Sequence, residues 1–245
     1  MKRTLTNMIS ILATLCLASV LGAQDDHGHS DVEFAYEDGR IAIEFGDEGA
    51  IFEGEFPLDG IDRQFTGEPG FGSELEEGLG INPGDQIAYN VLSDLLYWNE
   101  GFKSVPNDVQ IRIVNRPPSP VVPDTVVSAN SGIQMGSFSP AANRIGAAED
   151  DGNFHSDLDY ILEPMFDTPN EAAFGAYGIL MSLSSDNPEI ADSEPFAMIF
   201  NYGLDEAVFE EGVESFASIV PEPNHLSVLA SAWISLTFVR RRWNR

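Results

Sequence analysis

A chain of 245 residues that carries one cysteine, four histidines and 12 basic side chains is short of the groups from which most active sites are built. The cysteine, Cys16, lies in an apolar stretch near the N-terminus, so disulfides and thiolate metal sites are excluded from everything after it. Between Gln24 and Val220 there are 39 acidic residues against six basic ones, Arg40, Arg63, Lys103, Arg112, Arg116 and Arg144, a net charge of −33. Nucleic acid demands a cationic face and is excluded as a partner. Such an excess suits a mutually repelling soluble exterior, cation binding or a salty habitat. There is no Gly-x-Ser-x-Gly elbow and no Gly-rich phosphate loop with its lysine. Asp150-Asp151-Gly152-Asn153 has the composition of a calcium loop but neither its twelve-residue ligand spacing nor its closing glutamate, and reads as a turn. Paired carboxylates for glycoside hydrolysis are abundant, but their separation is not a property of sequence. The expectation is a protein that is not an enzyme.

What the chain does have is enough apolar material for one core. Hydrophobic residues make up 43% of it and Phe occurs 16 times, which is not a disordered composition. Lys2 and Arg3 precede an apolar run from Met8 to Leu21, and Leu21-Gly22-Ala23 supplies small residues for signal peptidase. Residues 1–23 therefore read as a signal peptide that would take Cys16 with it. At the other end Val220, Pro221, Glu222 and Pro223 lead into an apolar run, Leu226 to Val239, stopped by Arg240, Arg241 and Arg242. A hydrophobic segment halted by a cationic cluster docks in a bilayer with the arginines on the cytoplasmic face. Its 14 residues make ~21 Å of helix, short of the ~30 Å hydrocarbon core, which suits a transient signal better than a permanent anchor.

Residues 220–245 resemble the bacterial PEP-CTERM sorting signal: Pro221-Glu222-Pro223, the span and the arginines occur in that order. The resemblance implies export in a Gram-negative-type bacterium and transient attachment to the inner membrane. It also implies cleavage near the tripeptide by an exosortase-type enzyme and delivery to the cell surface or extracellular matrix.

Residues 24–219 read as a single all-β domain, a jelly-roll-like β-sandwich. Val32, Phe34 and Tyr36 alternate with acidic residues, Asp38-Gly39 makes a tight turn, and Ile41, Ile43 and Phe45 alternate on the way back, a hairpin pattern. Further strands are expected at 50–56, 86–91, 109–114, 125–128, 132–138, 157–163, 176–184 and 195–202, with turns between them. Residues 72–79 read as one or two helical turns and 117–123, with four prolines, as a stiff connector. Residues 205–219 read as an amphipathic helix capped by Asp205, with Val208, Phe209, Val213, Phe216 and Ala217 on one side.

His-Ser-Asp occurs twice, at His29-Ser30-Asp31 and His155-Ser156-Asp157, and takes in two of the three histidines that precede the sorting segment. On an extended strand alternate side chains share a face, so His29 with Asp31, and His155 with Asp157, can each offer nitrogen and oxygen together. His27 and Asp159 are additional candidates. Imidazole with carboxylate suits zinc, which takes about four ligands. Chance pairing in so acidic a chain and a frayed N-terminus give the bland alternative. Gly28-His29-Ser30-Asp31, Leu95-Leu96-Tyr97-Trp98, His155-Ser156-Asp157 and Gly175-Ala176-Tyr177-Gly178 together resemble the choice-of-anchor M surface domain. That resemblance implies a zinc-regulated surface protein. The chain departs from the family pattern in having His155-x-Asp157 where His-x-His is usual, which leaves room for a carboxylate-rich site. Two further readings stand beside metal binding: a structural or adhesive matrix component whose acidic face holds only diffuse cations, and a carbohydrate-binding module in which Trp98, Tyr97 and Phe102 form a stacking patch.

Overall fold

The computed structural model describes residues 31–45, 49–106, 108–115, 122–165, 168 and 170–221, and these described residues are all-β apart from one 3-10 turn and one α-helix. The strands in chain order are β1 (Val32–Glu37), β2 (Arg40–Ile43), β3 (Ile51–Glu55), β4 (Phe65–Thr66), β5 (Phe71–Ser73), β6 (Gln86–Val91), β7 (Leu96–Trp98), β8 (Phe102–Lys103), β9 (Gln110–Val114), β10 (Thr125–Ser128), β11 (Ser137–Phe138), β12 (Ala141–Ala142), β13 (Arg144–Ala147), β14 (Phe154–Ser156), β15 (Asp159–Glu163), β16 (Gly175–Ser185) and β17 (Phe196–Tyr202). The helix α1 (Glu206–Ala217) follows β17.

The expected hairpin is there: β1 and β2 pair antiparallel, and Asp38 and Gly39 both take positive φ, 47° and 78°, as a two-residue primed turn requires. β1 and β2 belong to a four-stranded sheet of order β14-β5-β1-β2. A second four-stranded sheet runs β10-β9-β15-β4, β11 and β12 form a short ribbon, and the largest sheet runs β13-β6-β16-β17-β3, with β7 paired to β16 and β8 to β7. One large core takes Phe34 and Phe71 from the first sheet, Ile111 and Tyr160 from the second, and Tyr177 and Phe200 from the third.

β16 and β17 carry near-continuous apolar sequence because both of their faces are covered. On β16, Tyr177, Ile179, Met181 and Leu183 enter the large core while Ala176 faces α1; on β17, Phe196, Met198, Phe200 and Tyr202 face inward while Ala197 and Ile199 face the helix. Gly178 is the seat of α1. A Cβ there would overlap the Phe216 ring, and on the helix a Cβ at Gly212 would lie 3.0 Å from Trp98. Small residues on sheet and helix thus let the two approach, and Phe209, Val213, Phe216 and Trp98 fill the seam.

Several local expectations change. Asp205 occupies the N-cap with extended backbone, but its side chain makes no capping bond, and Ala217 is exposed. Residues 72–79 divide between the end of β5 and a single 3-10 turn, Leu75–Glu77. Of 132–138 only Ser137–Phe138 forms a strand, beside an isolated bridge from Gln134 to Val91. Two- and three-residue strands such as β4, β5, β8 and β14 are too short to show periodicity.

Candidate functional site

The first sheet arranges the residues that chemistry singled out. Val32, Phe34, Phe71 and Phe154 point into the core, with Phe34 and Phe154 edge to face at 5.3 Å, so the alternate positions of β1, β5 and β14 face outward. The register pairs Glu33 with Gly72 and Gly72 with His155, which places Glu33 and His155 on either side of a strand position that has no side chain. One step along, Val32 N–H donates to the Gly70 carbonyl at 2.9 Å and Gly70 N–H donates to Asp31 Oδ1 at 3.0 Å. A Cβ added at Gly70 would lie 2.6 Å from Asp157 Oδ1 and 3.0 Å from Asp31 Oδ1. The carboxylates of Asp31 and Asp157 therefore converge above a glycine whose missing side chain leaves the space between them.

β1 and β14 are two strand spacings apart, roughly 9.5 Å. Gly70 and Gly72 form the bare floor between them, with Asp31 and Glu33 on one bank and Asp157 and His155 on the other. Burial, followed by the charges of Glu77, Glu44, Asp31 and Glu74, raises the pKa of Glu33. Crowded carboxylates lift a neighbour's pKa because each added negative charge is opposed, and the same field draws cations. Asp31 and Asp157 also border an open groove of about 910 Å³ lined by Glu55, Asp59, Asp62 and Glu68.

Of the residues expected to act together, Asp31 and Asp157 are brought into one site and His155 into the adjoining row, exposed. Asp159 is not with them. The chain does not run as one strand from His155 to Asp159: β14 stops at Ser156, Leu158 is buried, and Asp159 begins β15, paired with Val114 in the second sheet. His27, His29, Glu222, Pro223, Arg240, Arg241 and Arg242 lie outside the described residues, and Pro221 is described and exposed. Among the described residues no three His, Cys, Asp or Glu side chains are grouped to hold a metal ion, and no helix is long and apolar enough to cross a membrane.

Sequence reasoning missed Gly70 and Glu33. The signal for the first was present in Gly70-Phe71-Gly72, where glycine recurs at period two around a core aromatic, as on a strand whose outer face is kept empty. Trp98 is only 3% exposed and packs beneath Gly212, and Tyr97 donates to the Phe174 carbonyl at 2.8 Å. Of the stacking patch only Phe102 reaches solvent, so a platform built on Trp98 is ruled out. No known protein family, curated protein or solved structure matches the chain.

Proposed function

We propose that the chain is an exported, non-enzymatic protein of the cell surface or extracellular matrix, sorted by its C-terminal segment. Its mature domain, a jelly-roll-like sandwich, takes up a divalent cation between Asp31 and Asp157. The observation that carries the binding site is the Gly70 cradle, where two carboxylates approach a point that any side chain would fill. Oxygen donors alone suit a hard cation such as calcium, which prefers carboxylate and carbonyl ligands. Zinc wants nitrogen as well. His155 in the adjoining row and His29, two positions before Asp31, are the imidazoles nearest in register and sequence.

Calorimetric titration of the protein with zinc and with calcium tests the site. The expected result is saturable binding that Asp31→Asn and Asp157→Asn abolish. Loss of the zinc isotherm alone in His29→Ala and His155→Ala would place the imidazoles in it. No saturable isotherm with either ion would leave the acidic surface with diffuse cations, the structural or adhesive role. Sorting is tested by expressing the chain in a host with an exosortase-type enzyme: the wild type is expected in the surface or matrix fraction, and replacement of Arg240, Arg241 and Arg242 by Ala is expected to release it unprocessed. Equal distribution of both would overturn the sorting reading.

A further inference from the structure

An open apolar hollow of about 430 Å³ lies where the folded body ends. Leu95, Leu96, Phe102, Val105 and Ile219 line it together with Lys103, and no carboxylate does. In a domain of net charge −33 that is a local exception, and Lys103 is the only lysine after Lys2. Phe102 is 46% exposed and Ile219 39% exposed, large apolar side chains left facing water. Neither is loosely held: Phe102 stands edge-on to Phe216 at 5.0 Å, and Ile219 N–H donates to the Phe216 carbonyl at 2.9 Å. The body stays packed up to Val220, which touches both apolar clusters.

We infer that this hollow is the surface by which the domain seats on a phospholipid bilayer while the chain is membrane-attached. The inference rests on the reading that residues 226–239 insert. Only five residues, Pro221 to His225, separate the body from that segment. Fully extended they span at most ~18 Å. A domain held so close must turn one face to the membrane, and tethering raises the effective concentration of that face at the lipid surface. Acidic faces are repelled by anionic headgroups, whereas an aromatic and an aliphatic side chain beside a lysine fit the interface, the apolar groups toward the acyl boundary and the ammonium toward phosphate. The hollow has that composition and borders the point where the chain leaves the body.

The test uses the full chain in vesicles of phosphatidylcholine and phosphatidylglycerol. Cys16→Ser removes the native thiol, and Ser104→Cys or, as a control in the acidic groove, Asp59→Cys carries a small fluorophore. Flotation with the vesicles reads attachment; quenching by iodide from water and by nitroxide lipids from the bilayer reads seating. Expected is a several-fold fall in iodide quenching and a matching gain in lipid quenching at 104, neither at 59, both reversed by Phe102→Ser with Lys103→Glu while flotation persists. Flotation with the 104 label still open to iodide overturns the inference and leaves membrane attachment standing. Protection from iodide without lipid quenching overturns it in favour of cover by protein, either this chain or a second copy. Failure to float overturns the attachment reading and the inference with it.

Discussion

At Gly70 a single methyl group is enough to disturb the site. A Cβ there falls 2.6 Å from one carboxylate oxygen and 3.0 Å from the other, too close for either to stay. Gly70→Ala is expected to leave the β-sheet signature in circular dichroism unchanged and to weaken cation binding about tenfold, some 1.4 kcal/mol, in calorimetry; unchanged affinity would remove the cradle from the site. Glu33 supplies the pH dependence. Its pKa is raised, first by burial and then by neighbouring carboxylates, so the folded state takes up a proton more readily than the unfolded one. Burial raises Asp192 in the same direction. Stability gained from these groups is present once they are protonated and is lost as pH rises through their raised folded values. Urea unfolding is therefore expected to show a higher midpoint at about pH 5 than at about pH 7, and Glu33→Gln to flatten the difference. A midpoint that falls on acidification from neutrality would contradict this.

At the scale of elements, α1 depends on a hole in β16. Phe216 is fully buried and occupies the space above Gly178. Phe216→Ala is expected to cost about 3–5 kcal/mol in urea unfolding, as for other buried Phe truncations. Gly178→Val, which pushes the ring out, is expected to cost about 1–3 kcal/mol by overpacking. If both left the midpoint unchanged, the helix would be resting on the sheet without contributing to the cooperative unit. The helix was legible in the sequence because Phe209, Val213 and Phe216 recur at helical spacing, and the β1–β2 hairpin because Asp38-Gly39 interrupts alternation. Both signals are local. The seat of the helix was not legible, since nothing in Gly175-Ala176-Tyr177-Gly178 says which face a distant aromatic will cover. Asp159 was misplaced for a related reason: His155, Asp157 and Asp159 keep period two, but the chain turns at Asp157 and buried Leu158, leaving His155 on β14 and Asp159 on β15 in different sheets.

For the whole molecule the dominant quantity is charge. Ion pairs such as Arg40 with Glu194 at 2.6 Å and Arg112 with Glu163 at 3.0 Å join segments far apart in the chain, but the six basic side chains between residues 24 and 220 are far too few to pair with the 39 carboxylates there. Repulsion among the rest opposes compaction and is screened by salt. Raising sodium chloride from about 0.01 M to about 1 M, where the screening length falls from about 30 Å to about 3 Å, is expected to raise the urea midpoint. A salt-independent midpoint would mean that the carboxylates are already neutralised by bound cations or by one another.

By itself the sequence determined the β-rich class, the first hairpin, the C-terminal helix and the sign of the surface, because alternation, helical spacing, turn chemistry and charge are written in neighbouring residues. Tertiary structure alone decided the parallel pairings of β1 with β5 and β17 with β3, and with them the meeting of Asp31 and Asp157 across Gly70. Strands as short as β5 and β14 are selected by what they bury together, Phe71 and Phe154 against Phe34, and that selection lies between segments far apart in the chain. The same packing places the few carboxylates that can act as a pair and leaves the remainder as surface.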